Sequence, residues 1–463
     1  MIENDREARG PGLPPRRATA LLAATSALTA ANIYLGQPLL GSAAAALHVP
    51  PATLGAVPTA TQIGYATGIA LIVPLGDSRD RRRLILGLCA ASASALAASA
   101  LAPTAGLLVV AAFALGLLSP VPQLVAPLAV ALADGRHPGR TVGTVQAGLL
   151  VGVLASRTYS GALAEWAGWR AVFGCSCVLT LLLTLVLRRA LPAVPPASPA
   201  ARTTPYRELL ASVPRLFATH PAVRRITVSG GLVGVSFGAF WTALTFLLEQ
   251  RYHYGPTVVG LFGLVAVAGA LASTAAGRQA ERFGRRRAVL ASIAVTAAAW
   301  AVLLPGGSGI LWLTVGVVVL DVGTWGNQVV CQGALFTLDP ALHSRLNTCW
   351  FTLRFLGIAL GSLVGSFAWA HGGWPAVVVL GAVASLAALL VAGLPERTGL
   401  AAGRSGAAPV TGRQVAGRRD GGEDAVRHEP VLDLGPQVRR QWPALGEDHV
   451  QRGIRSRRLA STA

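Results

Sequence analysis

Apolar stretches of about 20 residues recur along the first 395 positions, and each is long enough to cross a hydrocarbon core as a helix. The spans run from 18 to 40, 53 to 75, 84 to 102, 106 to 133, 141 to 164, 169 to 187, 224 to 249, 257 to 277, 287 to 304, 309 to 332, 346 to 370 and 374 to 394. Lipid offers backbone groups no partners, and the strict alternation of a barrel strand is absent. The pattern therefore predicts an all-α membrane protein with twelve transmembrane helices. The first span exceeds the roughly 7 to 15 apolar residues of a signal-peptide core, so it is expected to be a retained helix.

Arginine placement tests the count, because cytoplasmic loops should be rich in it and external ones poor. The N-terminus, the loops at 76 to 83, 134 to 140, 277 to 287 and 339 to 345, and the linker at 188 to 223 all carry arginine. The alternate loops near 41 to 52, 103 to 105, 305 to 308 and 371 to 373 carry none, and the other two hold only Arg170 and Arg251. Adding or dropping one span destroys this alternation, which predicts both termini in the cytoplasm. Trp166, Trp169, Trp300, Trp312, Trp369 and Trp374 fall at the predicted outer ends, where amphipathic rings settle at headgroup level.

Composition agrees: 53% of residues are apolar and only 13% charged, against about 25% charged in a soluble domain. Behind the formal charge of +19 the basic residues are all arginine and lie almost entirely in loops and tail, an orientation signal, so no nucleic-acid partner is expected. Cys89, Cys175, Cys177, Cys331 and Cys349 form no metal-binding spacing and read as small buried hydrophobes, so no metal or other cofactor is expected. The linker is proline-rich and reads as a tether, with Tyr206 to Phe217 as a possible short helix on the membrane surface. From Pro395 onward the tail has no apolar run and is expected to be disordered and cytoplasmic.

The chain repeats itself. VPLGDSRDRRRL at 73 to 84 is answered by GRQAERFGRRRA at 277 to 288, with Asp77 over Glu281 and Arg81, Arg82 and Arg83 over Arg285, Arg286 and Arg287. Asp134 and Arg140 bracket one loop and Asp339 and Arg345 its counterpart, and GWRAV at 168 is matched by GWPAV at 373. Three matches at a nearly constant shift define a parallel duplication, with one six-helix bundle at 18 to 187 and another at 224 to 394.

Two parallel six-helix repeats joined by a basic linker resemble the major facilitator superfamily of secondary transporters. The 73 to 84 loop is similar to that family's GxLaDRxGRRxxL signature through Leu75, Asp77, Arg81, Arg82 and Leu84, with Val73 and Asp80 standing where the pattern has glycine. The second copy keeps Gly277 and Gly284. NIYLGQPLL at 32, DVGTWGNQV at 321, RLNT at 345 and RTYSG at 157 look like a bacterial drug and nucleoside efflux branch. The family's antiporter signature is absent from the fifth span, which reads GTVQAGLLVGVLASRTYSG.

The resemblance implies a cytoplasmic gating loop of Asp77, Arg81, Arg82, Glu281 and Arg285. Physics supplies a reason, because the eleventh span starts on the same face and its unpaired N–H groups attract a carboxylate such as Asp77. It also implies that spans 1, 4, 7 and 10 line the cavity. That nominates Asn32, Tyr34, Gln37, Gln123, Trp241, Trp325, Asn327 and Gln328, a set of amides and rings suited to a neutral or weakly cationic organic solute. The same polar side chains can instead glue helices together.

Three charges lie well inside apolar spans, where they are costly. Asp321 sits mid-span with no arginine near it in sequence, and burial makes the charged carboxylate expensive, which suits a proton carrier. Arg157 must be paired or face water, which leaves a salt bridge or a substrate contact open, and with Asp321 it makes up the candidate proton-coupling pair. Arg354, two turns into the eleventh span, is expected to snorkel to the inner surface. Pro120, Pro122 and Pro127 should bend the fourth span.

No hydrolase elbow, nucleotide loop or zinc spacing is present, so no enzyme is expected. The expectation is a monomeric plasma-membrane transporter that exchanges a small organic molecule or drug for protons and exports it by alternating access. An uptake symporter or facilitator for a nucleoside or sugar is the alternative. A membrane sensor would need a soluble output domain, and a membrane enzyme would need clustered acids or histidines at one depth.

Overall fold

The computed structural model describes residues 15–132, 138–191, 206–265, 282–335 and 343–394, and every regular element among them is helical. In chain order these are α1 (Pro15–Tyr34), α2 (Leu40–Leu47), α3 (Ala56–Ile72), α4 (Arg81–Ala100), α5 (Ala105–Leu118), α6 (Val121–Leu132), α7 (Pro138–Ala167) and α8 (Trp169–Ala190). There follow α9 (Tyr206–Thr219), α10 (Pro221–Phe246), α11 (Pro256–Val265), α12 (Arg285–Leu303), α13 (Ile310–Leu335) and α14 (His343–Gly393). Short turns at Gln37–Leu39, Pro51–Gly55, Leu75–Ser78, Leu247–Arg251 and Leu304–Gly307 join or extend them.

Eight helical stretches among the described residues are long and apolar enough to cross a membrane. Their outward faces carry Val110, Leu182, Leu311, Phe367, Val379 and Leu390, each more than half exposed. A surface so apolar has lipid, not water, as its solvent.

The predicted first span is broken: α1 stops at Tyr34, a 3-10 turn containing Pro38 follows, and α2 continues to Leu47. The fourth span is broken as its prolines demand, with Ser119 and Pro120 between α5 and α6. The last two spans form one element whose axis breaks at Gly373, where φ is +60°, just as Gly168 with φ +81° separates α7 from α8. Positive φ at both glycines of the GW pairs is the reason each copy carries one.

Duplication shows in the packing. A Cβ on Gly152 would lie 1.9 Å from the Ala27 carbonyl oxygen, and one on Gly357 would lie 2.0 Å from that of Gly231, so α7 rides on α1 as α14 rides on α10. Arg82 donates from Nη2 to the Arg188 carbonyl at the end of α8 (2.7 Å), and Arg286 donates to the Gly393 carbonyl at the end of α14 (2.9 Å). Both arginines satisfy orphan carbonyls at a helix C-terminus. Asp80, the departure from the signature, caps α4 by accepting from the Arg82 and Arg83 amides at 2.9 and 3.4 Å. Its counterpart in the second copy is Gly284, with φ +90°.

The short helix expected at Tyr206 to Phe217 is present as α9, with Leu209 and Leu216 buried and the Tyr206 hydroxyl donating to the Leu71 carbonyl. Two expectations need correcting. Trp166 and Trp312 are exposed, but Trp169, Trp300 and Trp374 are core residues. The Trp300 indole donates to Ser236 Oγ at 2.8 Å and the Trp374 indole to the Leu303 carbonyl at 2.9 Å, so these rings join helices and do not anchor at headgroups. Of the cysteines, Cys89, Cys331 and Cys349 are buried, Cys177 is half-buried and Cys175 is exposed on an apolar face.

Candidate functional site at the seam between the half-chains

Helices before and after α9 meet along one seam. At its arginine-poor end the backbones nearly touch: a Cβ on Gly161 of α7 would lie 2.1 Å from the Pro256 carbonyl oxygen, and one on Gly260 of α11 would lie 2.4 Å from that of Arg157. Thr158 Oγ1 donates to the Gly260 carbonyl at 3.0 Å, and Thr245 Oγ1 donates to the Gln37 carbonyl at 3.1 Å. The break after α1 exposes that carbonyl. At the arginine-rich end side chains make the closure: Gln332 Nε2 donates to Asn347 Oδ1 (3.1 Å), and Asn347 Nδ2 to Gln123 Oε1 (3.2 Å). Beside them, Tyr65 of α3 meets Phe355 of α14 edge to face at 4.5 Å.

Between the two closures lies a cavity of about 30 Å³, lined by Tyr34, Tyr65, Gln123, Trp325, Gln328 and Arg354 with a wall of Phe237, Phe351 and Phe355. It has room for only one or two waters, so a solute enters only if the half-chains part.

Arg157 is buried just beside it, 2% exposed. Its Nε donates to Gln37 Oε1 at 3.1 Å, and the guanidinium lies 3.8 Å from the centre of the Trp241 ring and 5.2 Å from that of Tyr34. Gln37 and Tyr34 belong to the first half-chain and Trp241 to the second, so one cation grips both. Asp321 is 1% exposed and is the carboxylate whose field acts on Arg157. The two do not touch. Neither Asp321 oxygen has a hydrogen-bond partner among the described residues, and Arg157 Nη2 has none either.

The nominated residues separate into groups. Tyr34, Gln123, Trp325 and Gln328 line the cavity, and Gln37 and Trp241 hold Arg157. Asn32 and Asn327 are turned into their own half-chains, Asn32 Nδ2 donating to Thr180 Oγ1 at 3.1 Å and Asn327 Nδ2 to Ser292 Oγ at 3.4 Å. Of the loop residues, Arg82 caps α8, Arg81 is half-buried and Arg285 exposed. The Asp77 side chain and all of Glu281 lie outside the described residues.

Arg354 does not snorkel. It is 3% exposed, lines the cavity, and donates to the Gly230 carbonyl at 3.2 Å and the Thr324 carbonyl at 3.4 Å. Gly230 and Gly234 let α10 approach α14 closely enough to cover it: a Cβ on Gly234 would lie 2.5 Å from the Arg354 carbonyl oxygen. Glycines facing an arginine across a helix pair were the available signal, but register between distant helices is not written in either one. Tyr65 was missed for the same reason.

Two half-chains of helices, closed against each other at both ends and enclosing a polar and aromatic cavity between the closures, define a multi-pass membrane transporter. The chain belongs to the Major Facilitator Superfamily, whose model matches residues 22–229 and 226–446. It is 34% identical over 372 residues to the "putative uncharacterized transporter YgaY" of Escherichia coli K12, covering 80% of this chain and 93% of that one. A probable transporter of Streptomyces coelicolor is 33% identical over 373 residues, covering 80% and 85%. Among solved structures the nucleoside transporter NupG superposes with a TM-score of 0.64 at 15% identity, covering 81% of this chain and 97% of that one. The human organic anion transporter MFSD10 gives 0.63 at 16%, covering 82% and 100%. At such identities the likeness is one of fold.

Proposed function

We propose that the protein exports a small organic solute in exchange for protons by alternating access, from the bacterial plasma membrane and as a monomer. Twelve spans form bundles at 18 to 187 and 224 to 394, with both termini, the linker and the tail after 394 in the cytoplasm, as the arginine alternation requires. The arginine-poor end then faces outward, and the conformation described is closed outside by backbone contact and inside by side chains.

One observation carries the coupling. Asp321 is buried with neither oxygen hydrogen-bonded among the described residues, in the field of a guanidinium that spans both bundles. With Asp321 ionised, its field holds Arg157 at the seam. Protonation removes that attraction and leaves the cation to the Trp241 and Tyr34 rings, loosening the outer closure. One proton thus biases which end opens, and a ligand shifts the equilibrium by its differential affinity for the two states. At the inner end, Asp77 acts as a latch on the start of α14, as the signature loop implies.

Proteoliposomes loaded with a panel of drugs and nucleosides test this. Gradient-driven flux should require an imposed pH difference and vanish in Asp321→Asn, while solute counterflow without a gradient persists. Flux that follows the pH gradient equally well in Asp321→Asn would remove the coupling role.

A further inference from the structure

The charges around the cavity do not balance. Two guanidiniums, Arg157 and Arg354, are buried in the helical body at this depth, and Asp321 is the one carboxylate that the sequence places there. The other acids among the described residues, including Glu165 and Glu249, lie at helix ends or in turns. Among the described residues neither guanidinium forms an ion pair with Asp321: Arg354 makes its contacts with the Gly230 and Thr324 carbonyls and with the Trp350 ring, whose centre lies 5.8 Å from the guanidinium.

Among the described residues Arg354 is therefore a cation on the cavity wall with no counter-ion. Its two carbonyl partners, at 3.2 and 3.4 Å, satisfy N–H groups without cancelling charge. A buried charge left uncompensated is strongly unfavourable, and intramembrane ionisable groups are kept where a pathway uses them. Around it the lining divides into hydrogen-bonding groups (Tyr34, Tyr65 and Gln123) and rings (Phe237, Trp325 and Phe355).

We infer that the solute is an organic anion with an aromatic or otherwise apolar body, its negative group taken up by Arg354 and its body by the ring wall. This rests on the transport reading above and reverses the expectation of a neutral or weakly cationic solute drawn from the amides and rings alone. The sign of the charge also suits export, because an inside-negative membrane potential drives an anion outward.

The test is binding to the purified full chain in lipid nanodiscs, at one pH and without gradients, followed by tryptophan fluorescence. The probes are naphthoic acid as its carboxylate, the neutral naphthamide, and cationic naphthylmethylamine, which share a ring system and differ in charge. The carboxylate should bind at least about tenfold more tightly than the amide, as expected of a charge-assisted contact in a dry site, and the amine most weakly. Arg354→Lys should keep the preference and Arg354→Gln should abolish it. The wild-type series decides the matter even if the glutamine variant does not fold. Equal affinity for carboxylate and amide, a preference for the amine, or binding of no probe would overturn the inference. With no proton gradient in the experiment, such a failure leaves the role of Asp321 standing, and loss of coupling with the preference intact would remove only that role.

Discussion

Replacing Gly161 by alanine puts a methyl where the structure has no space for one. The new Cβ would sit 2.1 Å from the Pro256 carbonyl oxygen and 2.9 Å from its carbon, more than an ångström inside ordinary contact. Pro256 begins α11, so the overlap is relieved when α7 and α11 separate, which is how the arginine-poor end would open. Overpacking of this kind costs about 1–3 kcal/mol. Charged against the closed state alone, it moves the open-to-closed ratio by roughly 5- to 150-fold. Gly361→Ala is the control. Its Cβ would meet the Val235 carbonyl oxygen at 2.0 Å, an overlap at least as severe, but α14 and α10 lie in one half-chain and rocking does not part them.

Spin labels at Trp166→Cys and Tyr254→Cys, both exposed at the arginine-poor end, report the seam in a background with the native cysteines replaced by serine. Gly161→Ala should add a longer-distance population, while Gly361→Ala should leave the distances alone and lower the melting temperature. The reasoning fails if Gly161→Ala keeps the wild-type distribution and costs only stability.

Other expectations follow from particular contacts. Arg82→Ala and Arg286→Ala should each cost about 1 kcal/mol, less than the roughly 1.5–3 kcal/mol of a hydrogen bond to a charged group because both sites are partly solvated, and the costs should add in the double mutant. Thermal denaturation in detergent checks this, and a strongly non-additive result would argue against independent caps. Asn347→Ala breaks the amide chain at the arginine-rich end, so a cysteine at the cavity-lining position Gln328 (Gln328→Cys), with the native cysteines replaced by serine, should react faster with a thiol reagent applied from that side. Unchanged labelling would show that the Tyr65–Phe355 contact suffices for closure. Asp77→Asn should weaken the outward-facing state, and unchanged transport together with unchanged thiol accessibility at the inner end would count against a latch.

The sequence by itself carried a good deal of this protein, and the reason is the solvent. Lipid forces long apolar helices and sends arginine to one side, so spans, loops and duplication are local signals that survive without knowledge of packing. The mid-span position of Asp321 was legible in the same way, since a lone acid in an apolar run is conspicuous wherever the helix lies. Partnership was not legible. Asn32 and Gln37 stand five residues apart on the same predicted span, yet Asn32 bonds inward to Thr180 while Gln37 holds Arg157 and offers its carbonyl across the seam to Thr245, because the helix breaks after Tyr34 and turns the second amide around. Arg354 reads as a snorkelling side chain in sequence, but the glycines of α10 let the helices close over it and hold its charge at the cavity wall. Register between helices more than a hundred residues apart depends on how their surfaces fit, and only the tertiary structure settles which polar groups become glue and which are left facing the space between the half-chains.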